Sequence, residues 1–294
     1  MSNLEKKTIS VLVRARNEAD HLPRLIEGLA KQDIQPAEIV LVDSGSSDAT
    51  ISIAREAGWK VVTINPSEFT FGRSLNLGFE NCSSDVVVIV SAHVYPTRRD
   101  YLSRITQGVE RGSRTVAYGR QIGDERTKFS EKMLMSTWFP SERISDQGHA
   151  FANNANACVP RQLWRDLRYD EFLPGLEDIE FSRRVLSSGG SISYEEEAEV
   201  VHVHDESYRR ISWRYRREAQ AYKTIFPGEN MRLYTAAFLG AKNIVRDFSE
   251  AARHGLLREV WASVVFFRVA QFHGTWLGFR DSGATHSALM RRMY

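Results

Sequence analysis

The 294-residue chain carries 39 basic and 37 acidic residues, a formal charge of +2, so no overall field draws it to nucleic acid. Hydrophobic residues at 42% and charged residues at 26% exclude wholesale disorder and a fibrous repeat. Cys82 and Cys158 are the two cysteines; they make neither a zinc spacing nor a disulfide framework, and the polar lead from Met1 to Lys7 lacks the apolar stretch of a secretory signal. The sequence therefore predicts reduced thiols and a cytoplasmic protein.

Residues 8–15 form a short apolar run with β-branched members, and Leu22, Leu25, Ile26 and Leu29 follow at helical spacing, which predicts a strand and then a helix. The pattern repeats in residues 39–42, which end at Asp43, and in Thr50, Ile53, Ala54 and Ala57 beyond the turn Ser44-Gly45-Ser46-Ser47-Asp48. A third strand is predicted over 59–64, a helix over 73–79, and a strand buried on both faces over 86–90. These alternations predict an α/β fold built on a doubly wound, mostly parallel sheet, with ligands outside the carboxyl ends of the strands. Between residues 119 and 160 the pattern is irregular. Residues 151–157 offer small and amide side chains where a backbone approaches a ligand closely, and Asn153, Asn154 and Asn156 can donate and accept hydrogen bonds to a polar ligand without a charge to desolvate. Helical spacing resumes over 179–186, and two short strands are predicted at 191–194 and 200–204.

Residues 1–204 thus read as one composite domain and 205–294 as a C-terminal helical appendage, with helices over 211–226, 233–248 and 256–272. From Val260 to Phe279 the only formal charge is Arg268. A central Arg costs about 2.5–3.5 kcal/mol on membrane-insertion scales, so the reading is a packed or interfacial helix rather than a span. Arg209, Arg210, Arg214, Arg216 and Arg217, interleaved with Tyr208, Trp213 and Tyr215, fit a solvated helix face, an anion site or contact with anionic headgroups.

Val42-Asp43-Ser44-Gly45-Ser46-Ser47-Asp48-Ala49-Thr50 resembles the signature after the second strand of family 2 glycosyltransferases of the GT-A fold. Arg16-Asn17-Glu18 matches the Asn-Glu that closes the family's first-strand segment, and the similarity continues through Asn76 and Gly78 to about His204. The resemblance implies that Ala15, Arg16, Glu18, Asp43 and the neighbouring Ser44 surround the base and ribose of a nucleoside diphosphate sugar. Leu173-Pro174-Gly175-Leu176-Glu177-Asp178 resembles the family's acidic motif at the start of a helix facing the acceptor. It implies Asp178, with Glu177 as substitute, as the base that takes the acceptor hydroxyl's proton, a contribution of about 10²- to 10⁴-fold. The family's Asp-X-Asp is replaced by Ser91-Ala92-His93. Both carboxylates are missing, and imidazole suits Mn²⁺ and later metals better than Mg²⁺. His204 resembles a histidine that ligates metal in some relatives, so His93 and His204 are the expected ligands if a divalent Mn²⁺ or Mg²⁺ is used. Without one, Arg73 or the later arginines would face the departing diphosphate.

The expected function is inverting transfer of a sugar from a nucleoside diphosphate donor to a saccharide or lipid-linked saccharide. No nucleic acid is expected as partner, and peripheral contact of the C-terminal helices with the inner face of the cytoplasmic membrane is. A noncatalytic glycosyltransferase-like scaffold is the alternative, motivated by the lost carboxylates. A nicotinamide dehydrogenase is disfavoured by the missing Gly-rich turn after the first strand.

Overall fold

The structure, a computed structural model, describes residues 7–110 and 114–281; the polar lead of residues 1–6 and the last part of the expected appendage, 282–294, lie outside the described residues. The strands are β1 (Ile9–Ala15), β2 (Glu38–Asp43), β3 (Lys60–Thr63), β4 (Val86–Ser91), β5 (Val94–Pro96), β6 (Thr115–Ile122), β7 (Asn156–Pro160) and β8 (Ser191–His202). The helices are α1 (Leu22–Ala30), α2 (Thr50–Glu56), α3 (Phe71–Asn81), α4 (Tyr101–Glu110), α5 (Phe129–Trp138), α6 (Arg161–Leu167), α7 (Glu177–Ser187), α8 (Tyr208–Ile225), α9 (Leu233–Arg253) and α10 (Leu257–Arg280). The chain divides into two compact units. The first takes residues up to Ile122, then Phe139–Phe172 and Glu177–His202; the second takes Gly123–Trp138, Leu173–Leu176 and the chain from Val203.

The first unit is built on one eight-stranded sheet of order β3-β2-β1-β4-β7-β6-β8-β5. Its β3-β2-β1-β4 half is parallel, as the strand-helix alternation predicts, and every residue of β4 is buried. Leu22, Leu25 and Leu29 of α1 pack with Val11, Val13, Val88 and Val90 in the core. The other half departs from the expected pattern. β7 lies antiparallel to both β4 and β6, so the sheet is mixed and the irregular stretch contains two strands.

Residues 191–204, expected as two short strands, contain the single β8. Its middle reads Glu195-Glu196-Glu197-Ala198-Glu199, a run of charge that hides a strand from periodicity. Arg143 holds the buried Glu195, Arg104 holds Glu197 and Arg120 holds Glu199, and a register shift between Gly119 and Gln121 accommodates the irregularity against β6. At the sheet edge, β5 pairs antiparallel with the end of β8, Val94 with His202 and Pro96 with Val200.

The second unit packs α8, α9 and α10 with α5. Gly274 and Gly278 bring α10 onto α8: a Cβ at either position would stand 2.2 Å from the carbonyl oxygen of Ser212 or Arg216, a distance no side chain tolerates. Arg268, the lone charge of the apolar C-terminal stretch, is fully buried. Its Nε and Nη2 donate to the Asp247 carboxylate at 2.7 and 2.9 Å and its Nη1 to Gln271 at 2.8 Å. No described helix is long and apolar enough to cross a membrane.

Candidate active site

Parallel pairing sets the carboxyl ends of three strands side by side, with Ala15 opposite Asp43 and Arg14 opposite Ser91. The following loops are then tied together by short polar side chains. Asn17 sits at φ +55°, a conformation asparagine tolerates better than most residues; its N–H donates to Ser46 Oγ at 2.8 Å, and its Oδ1 accepts from Ser47 N–H at 2.8 Å. Glu18 N–H donates to Thr50 Oγ1 at 2.8 Å. Ser44 is buried, its hydroxyl donating to the Ala15 carbonyl at 3.3 Å, and Arg16, the next residue after Ala15, is half-buried.

Asp43 lies at the bottom of these loops, 1% exposed. Its Oδ2 accepts from the Gly45 and Ser46 N–H groups at 2.9 and 3.0 Å. Its Oδ1 is buried and has no hydrogen-bond partner among the described residues, and a buried acceptor left unsatisfied is costly. This separates Asp43 from an ordinary turn residue, whose oxygens are used up locally.

Beyond β4, His93 Nδ1 lies 2.8 Å from Glu18 Oε1. Its ring stacks on His202 with centroids 5.0 Å apart and planes inclined 22°. The Nδ1 of His202 is 2.6 Å from Gln121 Oε1, and one nitrogen of each imidazole lies within 4.8 Å of the other. Sequence reasoning passed over His202 in favour of His204, although period-two geometry puts both on one face.

The acidic pair opens α7. Glu177 is buried and receives Arg14 Nη1 at 3.2 Å and Asn154 Nδ2 at 3.4 Å. Asp178 is half-buried; its Oδ1 accepts from Ile179 N–H at 2.9 Å and its Oδ2 from Asn154 N–H at 3.2 Å. Burial and the adjacent Glu177 charge push Asp178 up to about 7, against the opposing pull of the two N–H groups and Arg14. Tyr169 steadies Asn154 by donating its hydroxyl to Oδ1 at 3.2 Å, and Asn153 Oδ1 accepts from Ala155 N–H.

Arg14 was not singled out in the sequence. It is the charged member of a strand whose other residues are all buried, it lies 5.3 Å over the Phe71 ring, and it links the end of β1 to the first turn of α7. Two other residues of the expected segments have partners within the first unit. Arg73 is engaged with Glu171 at 3.1 Å. Asn156, in the segment expected to face ligand, is fully buried and holds β6 and β8 through Arg120 and Ala198 carbonyls.

His204 belongs to the second unit, where its Nδ1 lies 2.7 Å from Glu131 Oε1. Arg214 donates to Glu131 at 2.6 Å and lies 2.8 Å from Glu206. Burial raises the Glu131 carboxyl, but His204 and Arg214 outweigh it and hold the group at about 2. Arg214 thereby supplies the positive charge these carboxylates require. Arg209 and Arg210 are exposed, and with Trp213 and Arg217 they line a hollow of about 760 Å³.

The Glycosyl transferase family 2 profile matches residues 10–164, more than half of the chain. The chain is a family 2 glycosyltransferase. This glycosyltransferase is 20% identical over 220 residues to the O-antigen chain rhamnosyltransferase RfbN of Salmonella typhimurium, a match covering 70% of each protein. Its fold matches that of the mannosyltransferase PcManGT from Pyrobaculum calidifontis, solved in complex with GDP-Man and Mn²⁺: TM-score 0.61, 17% identity, 92% of this chain and 86% of that one. TarS 1–349 of S. aureus, in complex with UDP, matches with TM-score 0.55 at 16% identity over 98% of this chain and 92% of that one. The glycosyltransferase therefore has the GT-A fold; within its first unit, Asp43 and Glu18 follow neighbouring strands, His93 lies against Glu18 and Arg14 of β1 reaches Glu177.

Proposed function

We propose that this glycosyltransferase moves a glycosyl group from a nucleoside diphosphate sugar to a hydroxyl of a saccharide or lipid-linked saccharide, inverting the anomeric carbon, with Asp178 as general base. The observation that carries this reading is the state of Asp178, a half-buried carboxylate raised to about 7 beside an acid that Arg14 neutralises. A base so tuned accepts a hydroxyl proton near neutral pH far better than an ordinary carboxylate. As the acceptor oxygen bonds to the anomeric carbon, its proton passes to Asp178 and the bond to the diphosphate breaks, the diphosphate leaving with the electron pair. Glu177 keeps the first turn of α7 in place through Arg14.

The unpartnered Asp43 Oδ1 accepts an N–H of the nucleobase, satisfying an oxygen that the protein leaves bare. Ala15, Arg16, Glu18 and Ser44 surround base and ribose, Ser91 and His93 lie toward the diphosphate, and Asn153 and Asn154 toward the sugar. Arg73 is proposed to meet phosphate charge on release from Glu171. The ligands GDP-Man and UDP of the fold neighbours and the O-antigen chain named for the rhamnosyltransferase relative support donor and acceptor class.

A divalent cation fits the histidines in one respect: Glu18 and Gln121 hold the Nδ1 atoms of His93 and His202, the outer-shell arrangement that orients imidazole ligands. Two imidazoles without a carboxylate favour Mn²⁺ over Mg²⁺. When bound, the cation neutralises charge on the departing diphosphate.

The test is a panel of UDP-, GDP- and dTDP-linked sugars, with Mn²⁺, Mg²⁺ or neither, on wild type and Asp178→Asn. One donor should raise the melting temperature of both proteins, with transfer slowed by about 10²- to 10⁴-fold only in the variant. Equal turnover removes Asp178 from the base role, and a retained anomeric configuration in the product removes the single displacement. Mn²⁺ titrations of His93→Ala, His202→Ala and His204→Ala decide the metal ligands.

A further inference from the structure

Most of the large hydrophobic side chains that the described residues leave exposed lie on α9 and α10. Tyr234, Phe238 and Val245 recur on one stripe of α9, and Trp261, Phe266 and Val269 stand out from α10; all six are more than half exposed. A groove of about 310 Å³ runs between the helices, walled almost wholly by apolar atoms. Ala241, about one turn from Phe238 and Val245 on α9, and Val269 of α10 both border it, so exposed apolar surface runs from the α9 stripe across the groove to Val269. A contiguous face of this kind marks a contact surface.

Its charges select the partner. Arg232, Lys242 and Arg246 are exposed along α9. The one acid of this helix before Glu250 is Asp247, fully buried under Arg268; Arg246 approaches it at 3.7 Å yet keeps 43% of its side chain exposed. An aromatic stripe flanked by Lys and Arg, on a helix not apolar enough to span a bilayer, has the makeup of a segment lying in a headgroup layer. A second copy docked face to face would set these like charges against one another.

We infer that the joined face of α9 and α10 is a membrane-docking surface, seating its apolar stripe at the headgroup–acyl boundary of a bilayer that contains anionic phospholipid. This deepens the proposed reading by placing the helical unit where a lipid-linked acceptor resides. Vesicle binding is measured without donor or acceptor, so its failure and the failure of the transfer assay are separately readable.

The experiment is sedimentation of the full chain with vesicles of phosphatidylcholine alone and with about a third phosphatidylglycerol. Wild type should partition onto the anionic vesicles at least about tenfold more strongly. Phe238→Ser/Val269→Ser should lose about tenfold or more on those vesicles at an unchanged melting temperature. Lys242→Gln/Arg246→Gln, which leaves the apolar face intact, should lose about fivefold per charge and most of the lipid preference. Wild type that stays in the supernatant, or serine and glutamine variants that bind as wild type does, overturns the inference. So does a wild-type dimer in light scattering that the serine variant dissolves, which gives the face to a second copy.

Discussion

Each unit of this glycosyltransferase buries acids and an arginine, with opposite chemical results. In the second unit Arg268 and Asp247 are both fully buried and meet through two hydrogen bonds, with Gln271 taking a further donor. In the first, Arg14 reaches Glu177, while Asp178 keeps part of its surface open and receives only backbone N–H groups. Arg268 serves one carboxylate, whereas Arg14 faces two. The complete pair is closed to chemistry. The incomplete set leaves a carboxylate whose ionisation is costly and whose proton affinity is correspondingly high.

Breaking the complete pair should have the largest effect. Arg268→Ala leaves Asp247 buried and uncompensated, which costs about 3–5 kcal/mol, read as a lower urea midpoint; Arg268→Met/Asp247→Leu should recover most of it. If the single variant unfolds with wild type, the pair is not what holds α9 and α10.

The next test sharpens the other half. Asp178 is raised in the folded state, so its contribution to stability is fully present below its unfolded value of about 3.9 and is lost as pH rises through about 7. Wild type should therefore fall behind Asp178→Asn in melting temperature between those values, with the gap widest above pH 7. Parallel curves would mean that Asp178 ionises without penalty.

The smallest effect is expected from Arg14→Gln. Removing the nearest positive charge raises Asp178 further, and the acid limb of the pH–rate profile should move up by about one unit or less. A downward move would reverse the role given to Arg14.

The parallel half of the sheet was legible because each strand reads apolar and each helix keeps a 3.6-residue stripe, as Leu22, Leu25 and Leu29 do. The proposed site rests on local sequence in the turn after Asp43 and in the acids at the start of α7. What escaped depends on partners distant in sequence. Nothing near Glu195 announces that Arg143 lets it sit in a buried strand, nothing beside Arg14 points to Glu177, and Arg268 looked like a flaw in an apolar helix because Asp247 lies one helix earlier. His202 was passed over for a similar reason, since its stack on His93 depends on the pairing of β5 with β8.

That pairing also orders events on the ribosome. Val94–Pro96 leaves the exit tunnel long before Val200–His202, its partner in the finished sheet, and at typical synthesis rates it waits on the order of 5–20 s. Until then His93, the residue just before β5, lacks the His202 ring on which it stacks, and the strands of the β3-β2-β1-β4 half are already complete. Pro96, which cannot donate to a foreign strand, helps keep this waiting edge from pairing with another nascent chain. The loops after β1 and β2, proposed to take the nucleotide, are thus made early and the histidine stack only with β8, so a chain stalled before β8 would carry those loops without His202.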